Sequence, residues 1–220
     1  MPAPDHDHHS SRLAAVIPVG TIEGAKTRLG GTLDAEERQD LVERLLERTV
    51  GAALAVAGLH DVLVISPDRE VLRRASDLGA RTLRQRSTGL NAGLSEARTD
   101  VVAGGADAIL VLPIDLALVS AAALEGVLAP ITASAEGSAA GPAVVLVPDR
   151  HGTGTNALVL RPSEVIDFAF GPNSRDAHRR AAVAAGAAYL EVTGPLAFDI
   201  DTPADLVLVD TLTAEEIGAG

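Results

Sequence analysis

The stretch "DAILVLPIDLAL", residues 107–118, decides the fold. Six apolar residues run without polar alternation from Ala108 to Pro113, so residues 107–115 read as a strand buried on both faces. Such strands belong to the interior of a parallel sheet covered by helices. The strand closes on Asp115, at the carboxyl edge where open α/β sheets bind ligands. Ser120 is the better N-cap for the helix that follows, which leaves Asp115 available for chemistry.

Working outward, the same pattern recurs. Strands are expected at residues 12–19, 61–66 and 80–85, and helices at 34–57, 68–79 and 89–106, the first opening on an acidic turn. Beyond residue 115 come a helix ("SAAALEGVLAPI"), two strands close in sequence ("GPAVVLVPD" and "TNALVLR"), a helix ("SRDAHRRAAVAAGA"), a strand ("AAYLEV") and a final helix ("TPADLVLVDTLT"). Alternating strands and helices imply parallel pairing with right-handed crossovers. The short gap between the two adjacent strands implies one local antiparallel pair. The expected fold is one three-layer α/β/α domain with a mostly parallel, mixed sheet, spanning residues 12–214. Residues 1–11 are read as a disordered tail despite His6, His8 and His9, and residues 131–142 as an exposed loop.

Composition narrows the function. The net charge is −12, so no excess of Lys and Arg exists to displace counterions from nucleic acid, and nucleic acid is excluded as a partner. Aromatics are only 2%, so the core must be built from Ala, Val, Leu and Ile. There is no cysteine, which removes thiolate catalysis and Cys-based zinc. No apolar run approaches the roughly 20 residues of a membrane span, and the start lacks the apolar core of a signal peptide. A cytoplasmic protein is the default expectation.

Against that acidic background, the loop after the first strand, "VGTIEGAKTRLGG", carries Lys26 and Arg28. The glycines are spaced for neither a P-loop nor a dinucleotide fingerprint. The loop can still wrap a nucleotide with backbone N–H groups while the two cations neutralise phosphates; a solvated surface loop is the competing reading. "FDIDTPADL", 198–206, places Asp199 and Asp201 two apart, on one face if extended. Two such carboxylates repel unless a cation joins them. With Asp115 they can form a metal site suited to phosphoryl displacement, although capping of the last helix also accounts for Asp201. Ser66 and Asn91 lie in the segment 64–95, expected to select the purine; Asn91 either reads the guanine edge or caps its helix. "RHGTGTNALVL" and "FGPNSRDAHRR" supply glycines, hydroxyls and a helix N-terminus that attracts anions.

Taken in order, "IPVGTIEGAKTRL", "VISPD", "GLNAGL", "VLPIDLAL", "TGTNAL", "FGPNS" and "FDIDTPADL" resemble the 2-phospho-L-lactate or phosphoenolpyruvate guanylyltransferases of coenzyme F-420 biosynthesis, over residues 13–209. The resemblance implies a nucleotidyltransferase of the glycosyltransferase-A-like fold. It implies that GTP and a phosphorylated three-carbon acid combine, with Mg²⁺, to release pyrophosphate. It implies that Lys26 contacts phosphate, that Asp115, Asp199 and Asp201 hold metal, and that Thr155, Gly171 and Ser174 bind the acceptor. Ala117 stands where the family often has a second proline, and Gly20 where a second basic residue is common. A homodimer is an open expectation. The alternatives are another nucleotidyltransferase of the same fold, of molybdopterin type, and a non-catalytic nucleotide-binding module.

Overall fold

A computed structural model of the chain describes residues 12–21, 34–132 and 141–200. Lys26, Arg28, Asp201, the expected final helix and most of the 131–142 loop lie outside the described residues.

The strands are β1 (Leu13–Pro18), β2 (Leu59–Ser66), β3 (Arg81–Arg84), β4 (Ala108–Val111), β5 (Ala143–Pro148), β6 (Thr155–Arg161) and β7 (Ala188–Glu191). Among the described residues five α-helices are interleaved with them: α1 (Ala35–Leu54), α2 (Arg69–Asp77), α3 (Leu90–Ala103), α4 (Ala121–Thr132) and α5 (Ser174–Ala184). The strands form one sheet in the order β3-β2-β1-β4-β6-β5-β7. All neighbours run parallel except β6, which is antiparallel to both β4 and β5. The single reversal is the short β5–β6 hairpin, closed by Asp149, whose Oδ1 accepts from the Thr153 amide at 2.7 Å. A connection that short cannot make the crossover a parallel pair requires.

Alternation along β1 splits the interior into two layers. Leu13, Ala15 and Ile17 pack with α1, α2 and α4 through residues such as Leu45, Val71 and Leu124. Ala14 and Val16 pack with α3 and α5 through Leu94, Ala97 and Ala182. The central strands are therefore buried on both faces, as the uninterrupted apolar run at 108–113 requires. β3 and β7 are short, and their residues are exposed or half-buried, as suits the two sheet edges.

Local signals set the helix starts. Asp34 and Glu37 form a reciprocal capping box on α1. Asp68 caps α2 by accepting from the Glu70 amide at 2.9 Å. Ser120 caps α4, its Oγ accepting from the Ala123 amide at 3.2 Å, so Asp115 is not used as a cap. A three-residue 3₁₀ turn, Pro195–Ala197, was not legible in the sequence; it follows β7 and sets the direction of the chain toward Asp199.

Candidate active site

The parallel strands β1, β2 and β4 end at one edge of the sheet, where Ser66 and Asp115 lie. β4 ends at Val111 rather than at Asp115, because the backbone beyond it turns away from the sheet; Asp115 lies four residues on, in a turn. Its carbonyl accepts from the Ile200 amide at 2.9 Å, and the Ala117 amide donates to the Phe198 carbonyl at 3.0 Å. These bonds flank an isolated antiparallel bridge between Leu116 and Asp199. Two aspartates 84 positions apart in sequence are thus held one step out of register on adjoining backbones. Leu116 and Ile200 are buried beside them and fix the junction in the core, while both aspartates are partly exposed. Ala117 matters here: proline has no N–H and would break the bond to Phe198.

The donor set fits a magnesium ion. Both side chains are carboxylates, hard oxygen ligands, and Mg²⁺ is commonly held by one or two carboxylates with substrate phosphates completing its shell. Among the described residues no cluster of three metal-ligating side chains occurs; Asp201, the third expected ligand, lies outside them.

β6 runs the opposite way, so its first residues reach the same edge. Val111 pairs with Leu158, which carries Thr155 past the carboxyl end of β4. Asn156, buried, donates from Nδ2 to the Leu196 carbonyl at 3.0 Å and ties the start of β6 to the turn preceding Asp199. Thr155 meets α5: the Ser174 hydroxyl lies 3.0 Å from Thr155 Oγ1, and His178 Nδ1 lies 3.1 Å from the same atom. His178 is fully buried, and burial pushes its pKa down to about 4, so it is neutral at physiological pH. Its Nε2 accepts from the Ala169 amide at 3.0 Å.

The turn into α5 depends on backbone conformations that favour glycine and asparagine. Gly171 has φ 133° and Asn173 φ 58°. A Cβ on Gly171 would meet nothing within 4 Å, so its constraint is the backbone rather than space. Asn173 makes no side-chain cap, and the N-terminus of α5 presents amides without one.

Ser66 and Asn91 have internal partners. Ser66 is fully buried at the end of β2; its hydroxyl donates to the Gly20 carbonyl at 3.4 Å and accepts from the Asp68 amide at 3.0 Å. It therefore pins the loop leaving β1 against the start of α2. Asn91 neither caps α3, which begins after Gly89, nor stands alone. Its amide clamps the Phe170 backbone, donating to the carbonyl at 2.9 Å and accepting from the amide at 2.9 Å. Arg98, one helical face further along, stacks 4.8 Å from the Phe168 ring centroid and donates to the Ile166 carbonyl at 2.9 Å. Both residues lock the 162–173 segment onto α3. The loop entering α3 is held from within: Gln85 Nε2 donates to the carbonyls of Ser87 and Gly89, and Glu96 accepts from the amides of Arg86 and Ser87.

The structure thus brings the backbones of Asp115 and Asp199 side by side, and separately Thr155 with Ser174 beside Gly171. Asn156 and His178 were missed from sequence. His178 lies four residues after Ser174, on the same helical face, and that spacing was the available signal.

The same architecture occurs in a solved nucleotidyl transferase from Methanothermobacter, with a TM-score of 0.62 over 93% of this chain and 99% of that chain, at 20% identity. At that identity the likeness establishes the fold, which is that of the nucleotidyltransferases. Residues 13–211 match the family model described as "Guanylyl transferase CofC like", and the chain belongs to that family. It is a guanylyltransferase. A protein of Rubrobacter xylanophilus named phosphoenolpyruvate guanylyltransferase is 44% identical over 89% of this chain and 92% of its own length. One of the same name from Sphaerobacter thermophilus is 40% identical over 87% of this chain and 89% of its own. No described helix is long and apolar enough to cross a membrane.

Proposed function

We propose that this enzyme transfers the guanylyl group of GTP to phosphoenolpyruvate or 2-phospho-L-lactate, releasing pyrophosphate, in coenzyme F-420 biosynthesis. The observation that carries the acceptor class is the name shared by relatives that match the chain almost end to end. The site supports the same reading. A phosphate acceptor is already ionised at neutral pH, so the reaction needs alignment and charge compensation rather than a general base.

Each residue then has a task. Asp115 and Asp199, pinned by their backbone junction, hold Mg²⁺ together with Asp201. Bound there, the ion offsets the repulsion between two polyanions and stabilises charge at the reacting phosphate. Lys26 and Arg28 contact the triphosphate and the departing pyrophosphate. Thr155, Gly171 and Ser174 receive the acceptor at the N-terminus of α5. Ser66 shapes the nucleotide side by fixing the Gly20 carbonyl, and Asn91 fixes Phe170 and thereby the approach to Gly171. The reaction belongs in the cytoplasm, where GTP is available. The enzyme acts as a monomer or as a homodimer, and light scattering distinguishes the two.

The test is pyrophosphate release from GTP with phosphoenolpyruvate, 2-phospho-L-lactate and phosphoglycerate in turn. Turnover with one of the first two and Mg²⁺ is expected. Release with none of the three, from folded enzyme, contradicts the assignment.

A further inference from the structure

His178 is a buried titratable group to which nothing above assigns a task, and its surroundings define its proton. Nε2 faces the Ala169 amide at 3.0 Å, and an amide N–H can only donate. Nε2 is therefore the bare nitrogen, and the proton of the neutral ring sits on Nδ1. Nδ1 lies 3.1 Å from Thr155 Oγ1 and must donate to it. Thr155 Oγ1 also lies 3.0 Å from the Ser174 hydroxyl. Three protons, on Nδ1, Thr155 and Ser174, serve two contacts, so one hydroxyl proton of the pair is left to point outside the cluster. In the other tautomer only two protons would serve the same two contacts, and the pair would offer nothing outward. The Phe170 ring packs edge-on to the imidazole at 5.1 Å between centroids and shields it from water. Burial keeps the ring neutral, which the Ala169 contact also demands.

We propose that His178 is a positioning residue: through its Nδ1–H it holds the Thr155–Ser174 hydroxyl pair as a hydrogen-bond donor to the anionic acceptor. The proposal rests on the reading that Thr155 and Ser174 bind that acceptor. Specificity follows from the same arrangement. A fixed donor at this point favours a carboxylate or phosphate oxygen and disfavours an acceptor that presents an N–H or O–H there. The amide of Ala169 sets the tautomer and the tautomer sets the pair, so the cue originates on the backbone that the Asn91 clamp holds one residue further on.

Two measurements test it. The first is ¹⁵N NMR of the histidine rings of the intact wild-type enzyme at neutral pH, with the His178 signals identified by their loss in His178→Phe. A neutral ring protonated on Nδ1 is expected. A ring protonated on Nε2, or a charged ring, overturns the proposal. The second is kinetics with phosphoenolpyruvate and GTP. His178→Phe keeps a ring of similar size and removes both nitrogens. It should raise KM for phosphoenolpyruvate about tenfold or more, the worth of one hydrogen bond to an anion. KM for GTP should stay within about twofold. His178→Asn, which can keep a donor near the Nδ1 position, should recover most of the loss. On a Thr155→Val background, His178→Phe should add nothing further. Equal losses in every kinetic parameter, or no rescue by asparagine, overturn the positioning role. If Thr155→Val itself leaves the acceptor KM unchanged, the acceptor-site reading fails and takes the proposal with it. If Thr155→Val raises that KM and His178→Phe does not, only the proposal fails.

Discussion

Acidification should unfold this protein partly through one imidazole. His178 titrates near 6.5 in an unfolded chain and near 4 in the native state, where burial opposes its charge. Because the native pKa is the lower one, the unfolded state binds the proton first as pH falls. Stability from this group is fully present above about pH 6.5, declines between about pH 6.5 and 4, and levels off below that. The full difference corresponds to roughly 3 kcal/mol, of which about 2 kcal/mol is lost by pH 5. That is a large share of the roughly 5–15 kcal/mol by which a domain is stable. Urea denaturation followed by far-ultraviolet circular dichroism at pH 7 and pH 5 measures it, with His178→Phe alongside. The carboxylates titrate in both proteins and cancel in the comparison. The variant should be less stable at pH 7 by roughly 1–3 kcal/mol, having orphaned the Ala169 amide and the Thr155 contact, yet lose about 2 kcal/mol less than wild type on acidification. Equal pH dependence in the two proteins would refute the assignment of a buried neutral imidazole.

Asn91→Ala removes both bonds to the Phe170 backbone and should lower stability by roughly 1–3 kcal/mol. It should also raise KM for the acceptor while leaving the GTP-over-ATP preference unchanged; a lost purine preference would assign Asn91 to reading the base. Ala117→Pro deletes the amide that donates to Phe198 and should cost roughly 1–3 kcal/mol, seen as a lower melting temperature and weaker Mg²⁺ dependence of turnover. Gly20→Lys meets no described neighbour, since a Cβ there has none within 4 Å among the described residues. It should leave the melting temperature unchanged and lower KM for GTP or for the acceptor; an unaltered KM for both would show that this position faces neither.

The strands could be read because burial on both faces leaves an unambiguous trace. Residues 108–113 contain no polar residue, and the same holds for most of residues 143–148. The reversal at β6 was legible in the shortness of its link to β5. Two aspartate readings rested on position: Asp115 follows an apolar run at the carboxyl edge of the sheet, although β4 itself ends at Val111, and Asp199 stands two residues before Asp201. What sequence could not show is which distant backbone each polar side chain would find. Asn91 clamps Phe170 from 79 positions away, and Asn156 finds Leu196 from 40. No periodicity encodes such pairings. The 3₁₀ turn at 195–197 is too short to leave a pattern, and His178 looked like one polar residue among the arginines of α5. Ser66 ends β2 at the carboxyl edge, as its place after an apolar run implies, but the bond its buried hydroxyl makes to the Gly20 carbonyl, 46 positions away, leaves no mark in the sequence.

The most direct test of the account is a Mg²⁺ titration of guanylyl transfer from GTP to phosphoenolpyruvate, comparing wild type with Asp199→Asn. The account predicts metal-dependent release of pyrophosphate by wild type. In the variant, the carboxamide keeps the shape but removes the charge, so turnover should fall roughly 100-fold or more. Its melting temperature without ligand should hold or rise, since repulsion with Asp115 is relieved. Near-normal turnover of Asp199→Asn at every Mg²⁺ concentration would contradict the claim that the paired backbones of Asp115 and Asp199 exist to hold a metal ion.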